Sequence, residues 1–131
     1  MIDVAVVGCG AKKAETPTCA SRMYTSGFFS LKREYAEAVC DDWYILSAEH
    51  GILEPDDVIE PYDTKITDLT KAEREARQVT MHSEAVVHVL FGQLYWDMID
   101  IQAITCEPLA DCTSMGEQMT EMRRIIDATR N

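Results

Sequence analysis

The chain has 131 residues, 47% of them hydrophobic, with 23 acidic against 12 basic side chains and a formal net charge of −11. That length suits a single domain over residues 1–131, able to bury about two-thirds of the surface its unfolded form exposes, and the apolar content excludes disorder. No stretch nears the roughly 18 apolar residues of a membrane span, and the opening Met1-Ile2-Asp3-Val4 lacks the basic start of a signal peptide, so a soluble cytoplasmic protein without a membrane partner is expected.

Ile2 to Val7 is a continuous apolar run and reads as the first strand. Phe28 to Val39 sets Phe28, Leu31, Tyr35, Ala38 and Val39 at helical spacing, with Lys32, Arg33, Glu34 and Glu37 filling most of the other face. Trp43 to Ser47 reads as the second strand. Thr70-Lys71-Ala72-Glu73 has the capping-box pattern of a surface helix running to about Met81, with Glu73 four residues before Arg77. Ala85 to Phe91 is the third strand, Gly92 to Asp100 a short helix and Ala103 to Cys106 the fourth strand. Ser114-Met115-Gly116-Glu117 opens a last helix whose stripe of Met115, Met119, Met122, Ile125, Ile126 and Thr129 reads as core. Near-continuous apolar strands alternating with helices predict an α/β fold, Rossmann-like and three-layered, with a mostly parallel sheet of about four strands.

The irregular stretches Ala14 to Ser21 and Glu54 to Asp68 follow strand ends, so a doubly wound sheet places both on its carboxyl edge, where ligands bind. Gly8-Cys9-Gly10-Ala11-Lys12-Lys13 leaves the first strand with glycines for a tight turn and two lysines for an anion, against the simpler reading of solvated lysines. Tyr24, Thr25 and Ser26 precede the first helix, where a hydroxyl caps and free backbone N–H groups meet an anion. Ser47-Ala48-Glu49-His50-Gly51 offers an acid/base pair in Glu49 and His50, or a histidine held by structural hydrogen bonds. Pro61-Tyr62-Asp63 adds a rigid turn, a ring for stacking and a carboxylate, or a tyrosine clamp beside an aspartate cap. His82 and His88 have no catalytic setting. The odd set Cys9, Cys19, Cys40, Cys106 and Cys112 contains no CxxC pair and reads as reduced thiols. Cys106 and Cys112, with Cys9 or Cys19, match no closed zinc spacing, so no metal and no cofactor are expected.

Net charge disfavours broad electrostatic binding to nucleic acid. Yet an acidic chain with five lysines is also what a salt-loving organism's cytoplasm carries, where the Debye length is about 3 Å and net repulsion is screened. A nucleic-acid partner therefore stays open, and local charge decides.

Taken together, Cys9 to Lys13, Met23 to Phe28, Arg33 to Ala36, Trp43 to Leu53 and Pro61 to Asp63 resemble the uncharacterised bacterial, archaeal and phage family of unknown-function domain 6884 over nearly the whole chain. The central segment and the Pro-Tyr turn are also similar to the peroxide-stress YaaA group, whose members are associated with DNA binding and oxidative protection. Glu49 stands where the family usually has lysine, and His50 where the YaaA group has tyrosine. The resemblance implies nucleotide, nucleobase or nucleic-acid chemistry, by analogy. The expectation is thus a protein acting on a phosphorylated nucleoside-like ligand, with Lys12, Lys13, Thr25 and Ser26 on phosphate, Gly10, Tyr24, Ser47 and Tyr62 about the ligand, and Glu49, His50 and Asp63 for acid/base chemistry. The alternatives are a non-catalytic DNA- or RNA-binding module of oxidative stress and a protein-interaction subunit.

Overall fold

The computed structural model describes residues 2–130. Its elements in chain order are β1 (Asp3–Gly8), β2 (Thr18–Cys19), α1 (Ala20–Met23), α2 (Gly27–Val39), β3 (Asp42–Ser47), β4 (Gly51–Leu53) and β5 (Val58–Ile59). They continue with a 3-10 turn η1 (Ile66–Asp68), α3 (Lys71–Ala76), β6 (Val79–Leu90), a second 3-10 turn η2 (Gln93–Asp97), β7 (Ile99–Cys106) and α4 (Met115–Arg130).

Five strands form one sheet in the order β4-β3-β1-β6-β7. β1 lies at its centre, parallel to β3 (Val6 opposite Tyr44) and to β6 (Val6 opposite Val89). A strand paired on both sides and covered on both faces must be apolar at successive positions, which is why Val4 to Val7 are all buried. β6 pairs in parallel with β7, and β4 runs antiparallel to β3 as the edge strand. The chain is therefore a mixed α/β protein with a mostly parallel sheet.

Ala5, Val7, Ile45 and Leu90 point to the face covered by α2 and α4, where Phe29, Tyr35, Met122 and Ile126 complete a core. Ser26 opens α2 by accepting from Phe29 N at 3.1 Å. Val6, Leu46 and Val87 form a second core with Leu69, Tyr95, Met98 and Ile99, so this face is covered from the segments around η1 and η2. The methionine stripe of α4 is core at Met122 and partly buried at Met119, while Met115 at its start is 58% exposed.

Several expectations are corrected by strand pairing. The helix opened by the Thr70–Glu73 capping box does form, but it ends at Ala76, because Val79, Thr80 and Met81 pair with Ile99, Asp100 and Ile101. β6 is thus twelve residues long, and its first half alternates exposed and half-buried positions because only the face carrying Val79 and Met81 packs on a core there. The Gly92 to Asp100 helix is only the 3-10 turn η2, and β7 starts at Ile99 rather than Ala103. Glu73 caps Thr70 N, while Arg77 donates to Ala48 O at 2.7 Å. The Ser114–Glu117 box forms by half: Ser114 Oγ accepts from Glu117 N, but the Glu117 carboxylate turns to Thr113. The two irregular stretches meet, Thr18 and Cys19 pairing with Ile59 and Val58 as a small ribbon.

Candidate functional site

At the end of β1 the backbone of Gly8 passes so close to the segment that leaves β6 that a Cβ there would lie 3.0 Å from Phe91 Cβ. A side chain at this position would require Phe91 to give way by a few tenths of an ångström. Cys9 then donates its N–H to Leu46 O at 3.0 Å, fastening the loop to β3. The loop does not float beyond it. Thr25 N donates to Lys12 O and Ala14 N to Met23 O, so residues 12–14 are zipped onto 23–25, and Lys13 bridges Tyr24.

The β3–β4 connection is a hairpin closed between Ser47 and Gly51, with Gly51 in the left-handed region at φ 74°. Ser47 Oγ accepts from Glu49 N at 3.2 Å and His50 N at 3.1 Å. With both lone pairs occupied, its proton goes to Tyr62 OH, 2.7 Å away. Tyr62 OH then donates to Tyr24 OH at 2.6 Å, which leaves the Tyr24 proton without a protein acceptor among the described residues. Desolvation pushes the Tyr24 phenol up to about 12 and raises that of Tyr62 further, so both stay protonated at neutral pH.

Lys13 and His50 gather at the Tyr62 ring. Lys13 Nζ lies 4.4 Å from the ring centroid and also donates to Ala11 O, while the His50 ring meets Tyr62 edge-on at 5.2 Å. Gly10 adjoins the same group, its Cβ direction 3.7 Å from both Ser26 Oγ and Tyr24 Cβ. Gly10, Lys13, Tyr24, Ser26, Ser47, His50 and Tyr62 therefore converge. Lys12, Thr25 and Asp63 are exposed at the margin. Glu49 accepts from Thr64 Oγ1 at 2.5 Å, and no hydrogen bond joins it to His50.

Three contributors lay outside the sequence reading. Tyr95 OH donates to Cys9 O at 3.1 Å and receives the Cys9 thiol at 3.1 Å, clamping the loop from the second face. Arg77 holds the hairpin carbonyl of Ala48. Lys32 does not belong to the solvent face of α2: it is 6% exposed, with Nζ 3.0 Å from Gly8 O and 4.7 Å from the Phe28 ring centroid. Burial brings its amine down to about 8. The signal was present, since Lys32 follows Phe28 by four residues and precedes Tyr35 by three, both helical neighbours. It lines a cavity of about 460 Å³ that also touches Phe91, Trp96 and Gln118.

His88 is buried between Tyr35 OH at 2.8 Å and Asp3 Oδ1 at 2.9 Å. All five cysteines are free thiols, and among the described residues no three His, Cys, Asp or Glu side chains are grouped to hold a metal. No helix of the described residues is long and apolar enough to cross a membrane.

The residues that build this site, from the Gly8 loop through the hairpin to Tyr62, fall within residues 4–124, which match the model of a family of unknown function, DUF6884. The chain belongs to that family. It is also 38% identical over 60 residues to the uncharacterized protein YfjM of Bacillus subtilis, a match covering 41% of this chain and 40% of that protein. The chain thus spans well under half the length of that relative. No solved structure matches it.

Proposed function

We propose that this family member binds a phosphorylated nucleoside-like small molecule at the carboxyl ends of β1 and β3. The observation that supports the reading is the Ser47–Tyr62–Tyr24 hydroxyl chain, which ends in an unclaimed proton beside the only paired lysines of the sequence. Lys12 and Lys13 supply positive charge for phosphate in a chain of net charge −11. Tyr24 supplies a neutral donor, and burial keeps it from serving as a base. His50, at the Tyr62 ring, is the group fitted to proton transfer, imidazole being the side chain suited to that work near neutrality. Cleavage or transfer at a glycosidic bond is the reaction class this set suits, with Glu49 and Asp63 able to join only by leaving their present positions.

The fold is read as Rossmann-like, because the parallel strands run β3-β1-β6-β7 with the site at their carboxyl edge. The acidic composition fits a cytoplasm of high salt. The test is a thermal-shift panel of nucleoside mono- and diphosphates, nucleosides and nucleobases at low and high salt. Stabilisation by the phosphorylated members, weakened about tenfold in Lys13→Ala and lost with the phosphate, supports the reading. No shift across the panel, together with salt-dependent binding of DNA or RNA oligonucleotides that Lys12→Ala and Lys13→Ala weaken uniformly, would replace it by a nucleic-acid-binding module akin to the YaaA group.

A further inference from the structure

The cavity beside Lys32 is separate from the cluster around Tyr62, none of whose side chains lines it. Its volume of about 460 Å³ lies within the range of small-molecule sites. It opens at the carboxyl end of β6, where Leu90, Phe91 and Gly92 leave the sheet, and residues 107–112 and Gln118 of α4 close its far side. From β1 the chain goes to one side for β3 and later to the other for β6. The space beyond the carboxyl ends of β1 and β6 is therefore the topological switch point, the place where open α/β sheets hold ligands.

The walls have two characters. Phe28, Phe91 and Trp96 present flat apolar surface, the last two packed edge to face at 4.9 Å. Lys32 presents charge: among the described residues its Nζ donates only to Gly8 O, which leaves two of its three N–H bonds without an acceptor there, and it forms no ion pair. An ammonium so buried is costly without a counter-ion. Desolvation lowers its pKa to about 8, which still leaves it mostly protonated at neutral pH.

We propose that this cavity binds a small organic monoacid with a flat apolar body, its carboxylate paired with Lys32 Nζ and its body against Phe28, Phe91 and Trp96. Glu107, which also lines the cavity, disfavours ligands of higher negative charge, which separates this site from one for phosphates. The proposal does not depend on the nucleotide reading.

Calorimetric titration of the full chain with indole-3-acetate and 2-naphthoate, each beside its neutral amide, tests it. The acids are expected to bind at least about tenfold more tightly than the amides. Lys32→Met removes that preference while leaving amide affinity unchanged, Lys13→Ala changes neither, and Ala110→Trp, at an exposed lining position, abolishes both. Equal affinity for acid and amide, no binding of either acid at millimolar concentration, or undiminished acid binding in Lys32→Met or Ala110→Trp would overturn it. Circular dichroism checks the fold of each variant, and if Lys32→Met fails to fold, the acid–amide comparison in the unaltered chain and in Ala110→Trp decides.

Discussion

Ser47 and Tyr62 are joined by a 2.7 Å hydrogen bond across fifteen residues of chain, and this bond fastens the β3–β4 hairpin to the Pro61 turn. Ser47 accepts two backbone N–H groups on the hairpin side while Tyr62 passes the chain on to Tyr24. The bond is thus the joint at which the two sequence motifs become one wall.

Ser47→Ala is expected to destabilise the protein by about 1–3 kcal/mol, because a fully buried hydroxyl is deleted, and the Glu49 and His50 N–H groups lose their acceptor and the Tyr62 oxygen its donor. Tyr62→Phe and Tyr24→Phe each cost about 1 kcal/mol, and the double variant costs less than their sum, since they share one bond. Urea unfolding at neutral pH measures all four, and strict additivity would count against the chain.

Three glycines should respond differently to alanine. Gly51→Ala forces a side chain into the left-handed region and costs about 1–2 kcal/mol. Gly8→Ala meets Phe91 Cβ at 3.0 Å and destabilises as well, through displacement of Phe91 where the chain leaves β6. Gly27→Ala, in the first turn of α2 with open space around it, stabilises by about 0.4–1 kcal/mol. Thermal denaturation of the three variants ranks them.

Buried ionisable groups set opposite slopes of stability with pH. The Lys32 amine is held near 8 in the fold against 10.5 when free, so the unfolded chain binds more protons between those values and stability contributed by this group rises with pH across them. At neutral pH the penalty is on the order of 3 kcal/mol, which Lys32→Met removes. The gain over the unaltered chain shrinks towards pH 10.5. Tyr24 acts in reverse: its phenol rises from 10.0 to about 12, so its contribution is intact below 10.0 and is lost as pH climbs to 12. Urea midpoints measured across the alkaline range check both slopes, and a Lys32→Met advantage independent of pH would contradict the first.

Tyr35→Phe isolates the buried histidine. Asp3 accepts from His88 Nε2–H, so Nδ1 accepts the Tyr35 hydroxyl, and deleting that hydroxyl strands a buried acceptor at a cost of about 1–3 kcal/mol. Ligand binding at the Tyr62 cluster should be untouched. A loss of binding with unchanged stability would move this trio from the framework to the site.

The sequence by itself determined the order of strands and helices wherever hydrophobic period and capping chemistry are local: β1, α2 from Phe28 to Val39, β3, the start of α3 and the part of the α4 stripe from Met119 to Ile126. It also located the candidate site, because glycines, lysines and hydroxyls concentrate where strands end. Tertiary structure decided what local patterns do not encode. Residues Val79 to Met81 carry both helical and extended possibilities, and only pairing with Ile99 to Ile101 made them strand. Ile52 and Leu53 became an edge strand because Gly51 turned the chain back on β3. Glu49 and His50, adjacent in sequence, were sent to Thr64 and Tyr62. Lys32, polar by composition, was buried because the helical neighbours Phe28 and Tyr35 belong to the core-facing side of α2 and Gly8 O lay in reach. Periodicity is a property of a segment; burial and hydrogen-bond partners depend on what packs opposite, and that is settled only when the whole chain closes.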